Sequence, residues 1–228
     1  MDQEHRQRLG AEQRAADRAR PDLRPASLQQ HRRQAHQGHV NADDDVAALA
    51  ASARLFGRLL VRELDPATLR GLQQTEVREA LGAVGVEVPD AADADELAHA
   101  WLACFLHPDD GPPPVQSLVR DGKYDGDPAA AVRALAKAAG LELAAGARNA
   151  PPDHIGCILL LWAELATTRP ELVARITDQH LDWAVPVLHA TASRRDLPFY
   201  PQLAAATIHL LRGLRAFPLA CNPPDNEP

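Results

Sequence analysis

The sequence is poor in cysteine and aromatic residues, and it carries fewer basic than acidic side chains. Its three cysteines, Cys104, Cys157 and Cys221, form no C-x-x-C pair. We therefore expect neither a disulfide framework nor a thiolate zinc site, and a reducing compartment suits the chain. Aromatic residues make up 4% of the composition, so the core must consist mainly of Ala, Leu and Val. The formal net charge of -7 argues against nucleic acid as a partner, because phosphate binding requires clustered Lys and Arg.

Long apolar runs and common catalytic motifs are also missing. No apolar run approaches the roughly 20 residues that a bilayer span requires, so we expect a soluble cytoplasmic protein with no stable membrane insertion. The sequence contains no G-x-S-x-G elbow, no G-x-x-x-x-G-K-[ST] phosphate loop and no G-x-G-x-x-G fingerprint. The pairs His99/His107 and His180/His189 lack the i, i+4 spacing of a zinc-binding helix. We predict no enzyme activity, metal or cofactor.

The N-terminal region differs in composition from the rest of the chain. Residues 1–40 hold eight Arg and four His but almost no large apolar side chains, so we predict a disordered tail over residues 1–42. This segment carries +3, which leaves residues 41–228 at -10. A metal-binding role for His31, His36 and His39 is the alternative to a solvated extension. The Arg32-Arg33 pair precedes polar residues, so we do not expect it to belong to an export signal.

From residue 43 onward the hydrophobic pattern is that of α-helices. The apolar residues of a first helix recur on one face, and the acidic run 43–45 can cap its start. Further helices are predicted over 66–81, 93–106, 127–140 and 171–190, after the Pro151-Pro152 pair, and from Pro198. Pro186 should kink the helix that contains it. Strand alternation is absent, so the predicted fold is all-α: a single bundle of about seven helices.

A Pro/Gly-rich segment interrupts this helical pattern. Residues 107–126 contain four Pro and three Gly, and we predict a hinge loop over 108–126. It would join a front half, 43–107, to a back half, 127–216, with a second disordered tail at 217–228. Such a chain could be a monomer or a dimer that exchanges halves.

The motif P-P-D-H-I-G places Asp153 and His154 at the start of an apolar helix. We predict that Asp153 is the N-cap of that helix, worth about 1 kcal/mol. His154 is then expected to be a hydrogen-bonded structural residue. The alternative is an acid/base pair or a ligand contact at the mouth of a groove, and the two uses are compatible.

Two further motifs lie on apolar helix faces. His180 and Trp183 form H-x-x-W and are expected to pack in the core, with the indole N–H seeking one partner. Phe199 and Tyr200 begin the last helix and should pack against the same core. These four residues are therefore predicted to be structural.

In their order, these motifs resemble the TorD/DmsD/NarJ group of redox-enzyme maturation chaperones. The resemblance rests on the D-H pair at 153–154, H-x-x-W at 180–183 and F-Y-x-x-L-A at 199–204. An earlier block, comprising a helix with Trp101 and Phe105, the loop 111–117 and the pair Gly126-Asp127, also resembles the family. Two departures each remove a carboxylate: P-P-D-H replaces E-P-D-H, and Gln116 stands where the loop has Glu.

The resemblance implies an all-helical chaperone that binds the twin-arginine signal peptide or N-terminal segment of a molybdopterin-dependent oxidoreductase. It would assist cofactor insertion before export or assembly, and a cytoplasm-facing nitrate reductase is a possible client. The implied peptide-binding groove lies between the two halves and is lined by Trp101, Phe105, Pro114, Ser117, Gly126, Asp153 and His154. The residues alone leave open a helical enzyme or small-molecule-binding protein that uses Asp153, His154 and His180.

Overall fold

A computed structural model describes residues 26–90, 94–106, 113–141 and 150–217, with side chains from residue 43 onward. The chain divides into two compact units, residues 1–43 and 44–228. The site and the core described below lie in the second unit.

Ten α-helices are present in the described residues, which contain no β-strand, so the predicted all-α fold is confirmed although there are more helices than expected. In chain order they are α1 Ala26–Val61, α2 Pro66–Leu72, α3 Thr75–Ala83, α4 Ala94–Phe105, α5 Gln116–Asp121, α6 Asp127–Ala138, α7 Ile155–Leu165, α8 Pro170–His180, α9 Ala184–Ala192 and α10 Tyr200–Ala216.

Helix α1 begins at Ala26, so the prediction that the acidic run 43–45 caps its start is wrong. Over residues 26–42 the backbone is helical where the sequence predicts a disordered tail. Ala, Gln and Arg are frequent in this segment and have high intrinsic helix propensity. The segment can therefore be helical without an apolar face. Residues 1–25 and 218–228 lie outside the described part of the chain, as do the side chains of His31, His36 and His39.

The structure differs from the sequence prediction at two elements, a helix and the hinge loop. The helix expected over 66–81 is two helices, and Asp65 caps the first by accepting a hydrogen bond from the Thr68 amide at 2.7 Å. The predicted hinge loop contains the short helix α5, which its sequence did not indicate because six residues are too few to show a periodicity.

The helix expected over 171–190 is also two helices, and the break lies before Pro186. Helix α8 ends at His180, and the Trp183 indole donates to the His180 carbonyl at 2.8 Å. This bond supplies the partner predicted for the indole and satisfies a carbonyl near the helix end. Pro186 is the third residue of α9, where a missing N–H breaks no intrahelical hydrogen bond. Pro186 therefore lies in the first turn of a new helix and not at a kink inside one long helix.

The apolar helix α7 is central, as its composition predicts. Nine of its eleven residues are buried. The Trp162 indole donates to the Thr177 hydroxyl at 3.0 Å, which joins α7 to α8. Buried residues from both predicted halves, from Ala50 to Leu214, belong to one hydrophobic cluster. The hinge role of residues 108–126 stays a prediction.

Helices α1 and α7 approach closely at a pair of glycines. A Cβ atom on Gly57 would lie 2.8 Å from the Gly156 carbonyl oxygen, and one on Gly156 would lie 2.7 Å from the Gly57 carbonyl oxygen. Such distances are too short for any side chain, so the two backbones touch directly. This contact fixes the first turn of α7, and with it residues 153 and 154, against α1.

Candidate functional site

Two segments distant in sequence pair at the start of α7. The Ile155 amide donates to the Pro114 carbonyl at 2.9 Å, and the Gln116 amide donates to the Asp153 carbonyl at 3.1 Å. Between them Val115 and His154 form an isolated antiparallel bridge. The Pro-rich loop and the P-P-D-H segment are therefore held together by backbone hydrogen bonds.

Asp153 caps α5 rather than α7. Its side chain is fully buried, and Oδ2 accepts a hydrogen bond from the Ser117 amide at 2.6 Å and a second, short one from the Ser117 hydroxyl. Ser117 is the second residue of α5, whose first amides have no partner within the helix. The prediction that Asp153 is the N-cap of its own helix is wrong, because its carboxylate stabilises a helix 36 residues away in the chain.

His154 is the N-cap of α7. Its Nδ1 accepts a hydrogen bond from the Gly156 amide at 3.0 Å, so Nδ1 carries a lone pair and not a proton. Burial lowers the pKa of His154 from 6.5 to about 4, so the ring is neutral at physiological pH. His154 is thus a buried, hydrogen-bonded residue at the start of α7, and its place in a peptide-binding site stays a prediction. Asp153 and His154 each bond to a different backbone segment, an arrangement unlike that of an acid/base pair.

A hydrogen-bond chain connects α5 to the end of α8. The Gln116 side-chain amide donates to the Gln179 carbonyl at 3.0 Å, and its oxygen lies 2.7 Å from His180 Nδ1. Arg120 also donates to the Gln179 carbonyl, at 3.3 Å. Gln116 is fully buried and His180 is 3% exposed. His180 lies in the core, and the sequence did not indicate its hydrogen bond with Gln116.

Gly126 lies close to Ser117 and Asp121. A Cβ atom there would lie 3.3 Å from Ser117 Cβ and would require the exposed Asp121 carboxylate to move. Asp121 Oδ2 accepts a hydrogen bond from the Asp127 amide at 3.2 Å. Gly126 thus packs closely against α5. Together, Gln116, Ser117, Asp153, His154 and His180 are called the polar cluster below.

Four other predicted residues form a group of contacting rings, called the aromatic cluster: Trp101, Phe105, Phe199 and Tyr200. Ring centroids lie 6.1 Å apart for Trp101 and Phe105, 5.7 Å for Phe105 and Tyr200, and 5.2 Å for Phe199 and Tyr200. Phe105, Phe199 and Tyr200 are at most 3% exposed, so the F-Y pair lies in the core. Buried Tyr200 accepts a hydrogen bond from the Leu64 amide at 3.2 Å, and burial raises its pKa.

The structure therefore separates the predicted peptide-binding residues into two groups by their contacts. Pro114, Ser117, Gly126, Asp153 and His154 are brought together around the start of α5 and α7. Trp101 and Phe105 belong to the aromatic cluster. That both groups line one groove stays a prediction. Sequence reasoning named Gln116 only as the loss of a loop carboxylate and did not predict its hydrogen bonds. It missed Gly57, although a glycine inside the apolar stripe of α1 was a signal of close helix packing.

The described residues contain no group of three or more His, Cys, Asp or Glu side chains that could hold a metal ion. Within the same residues, no helix has the length and apolar character needed to cross a membrane.

Comparisons with known proteins match this region of the chain. A family model described as "Nitrate reductase delta subunit" matches residues 62–205, which include both clusters. A protein of Haemophilus influenzae named "Probable Tat proofreading chaperone DmsD" is 38% identical over 66 residues, or 28% of this chain and 32% of that protein. The similarity thus spans about a third of the length of this curated relative.

Proposed function

The chain belongs to the nitrate reductase delta subunit family, and we propose that it is a cytoplasmic, non-catalytic chaperone of TorD/DmsD/NarJ type. It binds the twin-arginine signal peptide or N-terminal segment of a molybdopterin-dependent oxidoreductase and holds that enzyme until its cofactor is inserted. The observation that carries this proposal is the family match over residues 62–205, which contains the paired segments 114–117 and 153–155. The similar Haemophilus influenzae protein is named a probable Tat proofreading chaperone, which supports the same class of client.

The charge of the chain suits a basic peptide. Residues 41–228 carry a formal charge of -10, so a positively charged segment is attracted to this part of the molecule. The Asp153 carboxylate is fully buried in the polar cluster, where its interaction with a cation is less screened than at the surface.

Apolar contacts would come from the outer face of α4 and the residue after it. Leu102 and Leu106 are 46% and 50% exposed and lie one helical turn apart. An exposed aliphatic pair is a suitable contact for the apolar part of a signal peptide. Buried Phe105 would support Trp101 from the core.

A peptide titration tests this proposal. A fluorescent peptide with an Arg-Arg pair and an apolar segment is titrated into the wild-type protein and into the Asp153→Asn variant at fixed salt. Asparagine can still accept the Ser117 amide hydrogen bond but carries no charge, so we expect at least about tenfold weaker binding, since a hydrogen bond to a charged group contributes about 1.5–3 kcal/mol.

The control variant is Asp178→Asn, which removes an exposed carboxylate from α8 and should leave the affinity within about twofold, since exposed charges interact weakly with a ligand. Equal affinity of the wild type and Asp153→Asn would remove Asp153 from the site. Absence of binding by the wild type, together with no large molybdoenzyme subunit copurifying with it, would contradict the proposed function.

A further inference from the structure

A cleft lies between α3 and the start of α10. Its volume is about 270 Å³, and it is lined by Arg78 of α3, by the segment 87–90 and by residues 198, 199 and 202. None of these residues belongs to the polar cluster. Pockets for drug-sized ligands have volumes of about 300–1,000 Å³, so this cleft suits a smaller molecule, of roughly the size of one amino acid.

Two glutamine side chains hold one wall of the cleft in place. Gln202 Oε1 accepts a hydrogen bond from the Glu87 amide at 2.7 Å, and Gln73 Nε2 donates to the Pro89 carbonyl at 3.2 Å. Between these two bonds, the Val88 side chain is buried. The segment 87–89 is therefore fixed before any ligand binds, which lowers the entropy cost of binding.

The opposite wall has a strained backbone. Phe199 has φ 58° and ψ -59°, and the Tyr200 amide donates to the Pro198 carbonyl at 2.7 Å. Residues 198–200 thus form the rare, strained kind of γ-turn. Strain of this kind is concentrated at ligand-binding and other functional positions. The γ-turn places the buried Phe199 in the lining of the cleft.

The charged groups around the cleft do not neutralise each other. Arg78, Glu87 and Asp90 are all exposed, and none of them takes part in an ion pair within the described residues. The oxygen of Gln202 is engaged by the Glu87 amide, so the group that Gln202 can offer a ligand is its Nε2 donor. The cleft therefore combines two anionic acceptors with one cationic and one neutral donor.

We propose that this cleft binds a free α-amino acid with an apolar side chain. The ammonium group of the ligand binds the carboxylates of Glu87 and Asp90. Its carboxylate binds the Arg78 guanidinium, whose planar donor pair matches a carboxylate, and the Gln202 Nε2. The apolar side chain contacts the buried Phe199 and its neighbours. The site goes beyond the proposed function and does not depend on it.

Nuclear magnetic resonance of the isotope-labelled full-length protein tests the proposal with three matched probes. L-leucine carries both charges, leucinamide lacks the carboxylate, and N-acetyl-leucine lacks the ammonium group. We expect L-leucine to shift the backbone amide signals of Glu87, Val88 and Phe199, and both derivatives to bind at least about fivefold more weakly, since each loses a charge-assisted contact. L-phenylalanine is titrated as a larger apolar amino acid.

Variants of the exposed charges assign each end of the ligand. Arg78→Gln should weaken L-leucine binding at least about fivefold but leave leucinamide within about twofold, because leucinamide has no carboxylate to lose. Glu87→Gln should weaken L-leucine about threefold or more and leave N-acetyl-leucine within about twofold. The control is Arg70→Gln, which changes an exposed arginine of α2 outside the cleft and should leave all affinities unchanged.

Three results would overturn the inference. L-leucine and L-phenylalanine could both leave the cleft signals unshifted, all three leucine probes could bind equally, or Arg78→Gln could keep the wild-type affinity for L-leucine. A signal-peptide titration of the same samples keeps the two proposals apart. Peptide binding without amino-acid binding leaves the proposed function standing, and amino-acid binding without peptide binding leaves this inference standing.

Discussion

The polar cluster and the aromatic cluster occupy the same fold but are built on different principles. The aromatic cluster consists of rings in edge-to-face contact, and its buried members gain their stability from apolar area removed from water. The polar cluster consists of hydrogen bonds between segments 36 to 64 residues apart, and each bond determines which atom faces the next. The first region therefore contributes to stability through buried apolar area, and the second through hydrogen bonds that join distant segments of the chain.

The largest expected effect comes from truncating the aromatic cluster. Phe105→Ala removes a ring that is 2% exposed and contacts both Trp101 and Tyr200, so the free energy of unfolding should fall by about 3–5 kcal/mol. Urea denaturation measures this loss. Leu102→Ala on the exposed face of α4 is the control and should cost less than about 1 kcal/mol. A loss of less than about 1 kcal/mol for Phe105→Ala would show that the cluster does not support the core.

The next largest effect is a pH dependence from the polar cluster. The folded-state pKa of His154 is lowered to about 4 from 6.5, so its contribution to stability is complete above about pH 6.5 and is lost as the pH falls toward 4. The loss should be on the order of 3 kcal/mol, and the lowered pKa of buried His180 acts in the same direction. Urea midpoints between pH 7 and pH 4.5 measure it.

Asparagine at position 154 isolates the histidine contribution to this pH dependence. His154→Asn can still cap α7 through its side-chain oxygen but cannot titrate, so the pH dependence should become shallower. The exposed His99→Asn variant should leave the dependence unchanged. Identical slopes for the wild type and His154→Asn would contradict the role assigned to this residue.

Removing the carboxylate of Asp153 should have an intermediate effect. Asp153→Ala leaves the buried Ser117 amide and hydroxyl without an acceptor, which should cost about 2–3 kcal/mol. Asp153→Asn retains an acceptor and should cost less. If the two variants were equally unstable, the charge and not the hydrogen bonds would hold α5 in place.

The smallest effect is expected at the glycine contact behind the polar cluster. Gly57→Ala places a methyl group against the Gly156 carbonyl and the Leu160 side chain, so it should cost about 1–3 kcal/mol. Gly71→Ala, where no atom lies within 4 Å, should be neutral or slightly stabilising, since alanine favours the helix. Thermal melts of the two variants compare these positions directly, and equal melting temperatures would mean that the backbones do not touch.

The difference between local patterns and contacts between distant segments also explains which features the sequence could predict. Local signals were sufficient for α7 and for the core positions of His180 and Trp183, because an apolar composition and a helical period depend on neighbouring residues. The partner of Asp153 could not be predicted, since Asp153 and His154 are both adequate caps and Ser117 lies 36 residues away. The break between α8 and α9 was missed because Pro186 fits a kinked helix as well as a helix start.

The glycine contact also has a mechanical consequence. The α1 backbone at Gly57 contacts the first turn of α7, so residues 153 and 154 cannot move toward α1 without moving α1 itself. A movement of this corner toward α1 would therefore have to displace the stretch of α1 around Gly57, and a spectroscopic label at exposed Arg58 is expected to detect such a displacement.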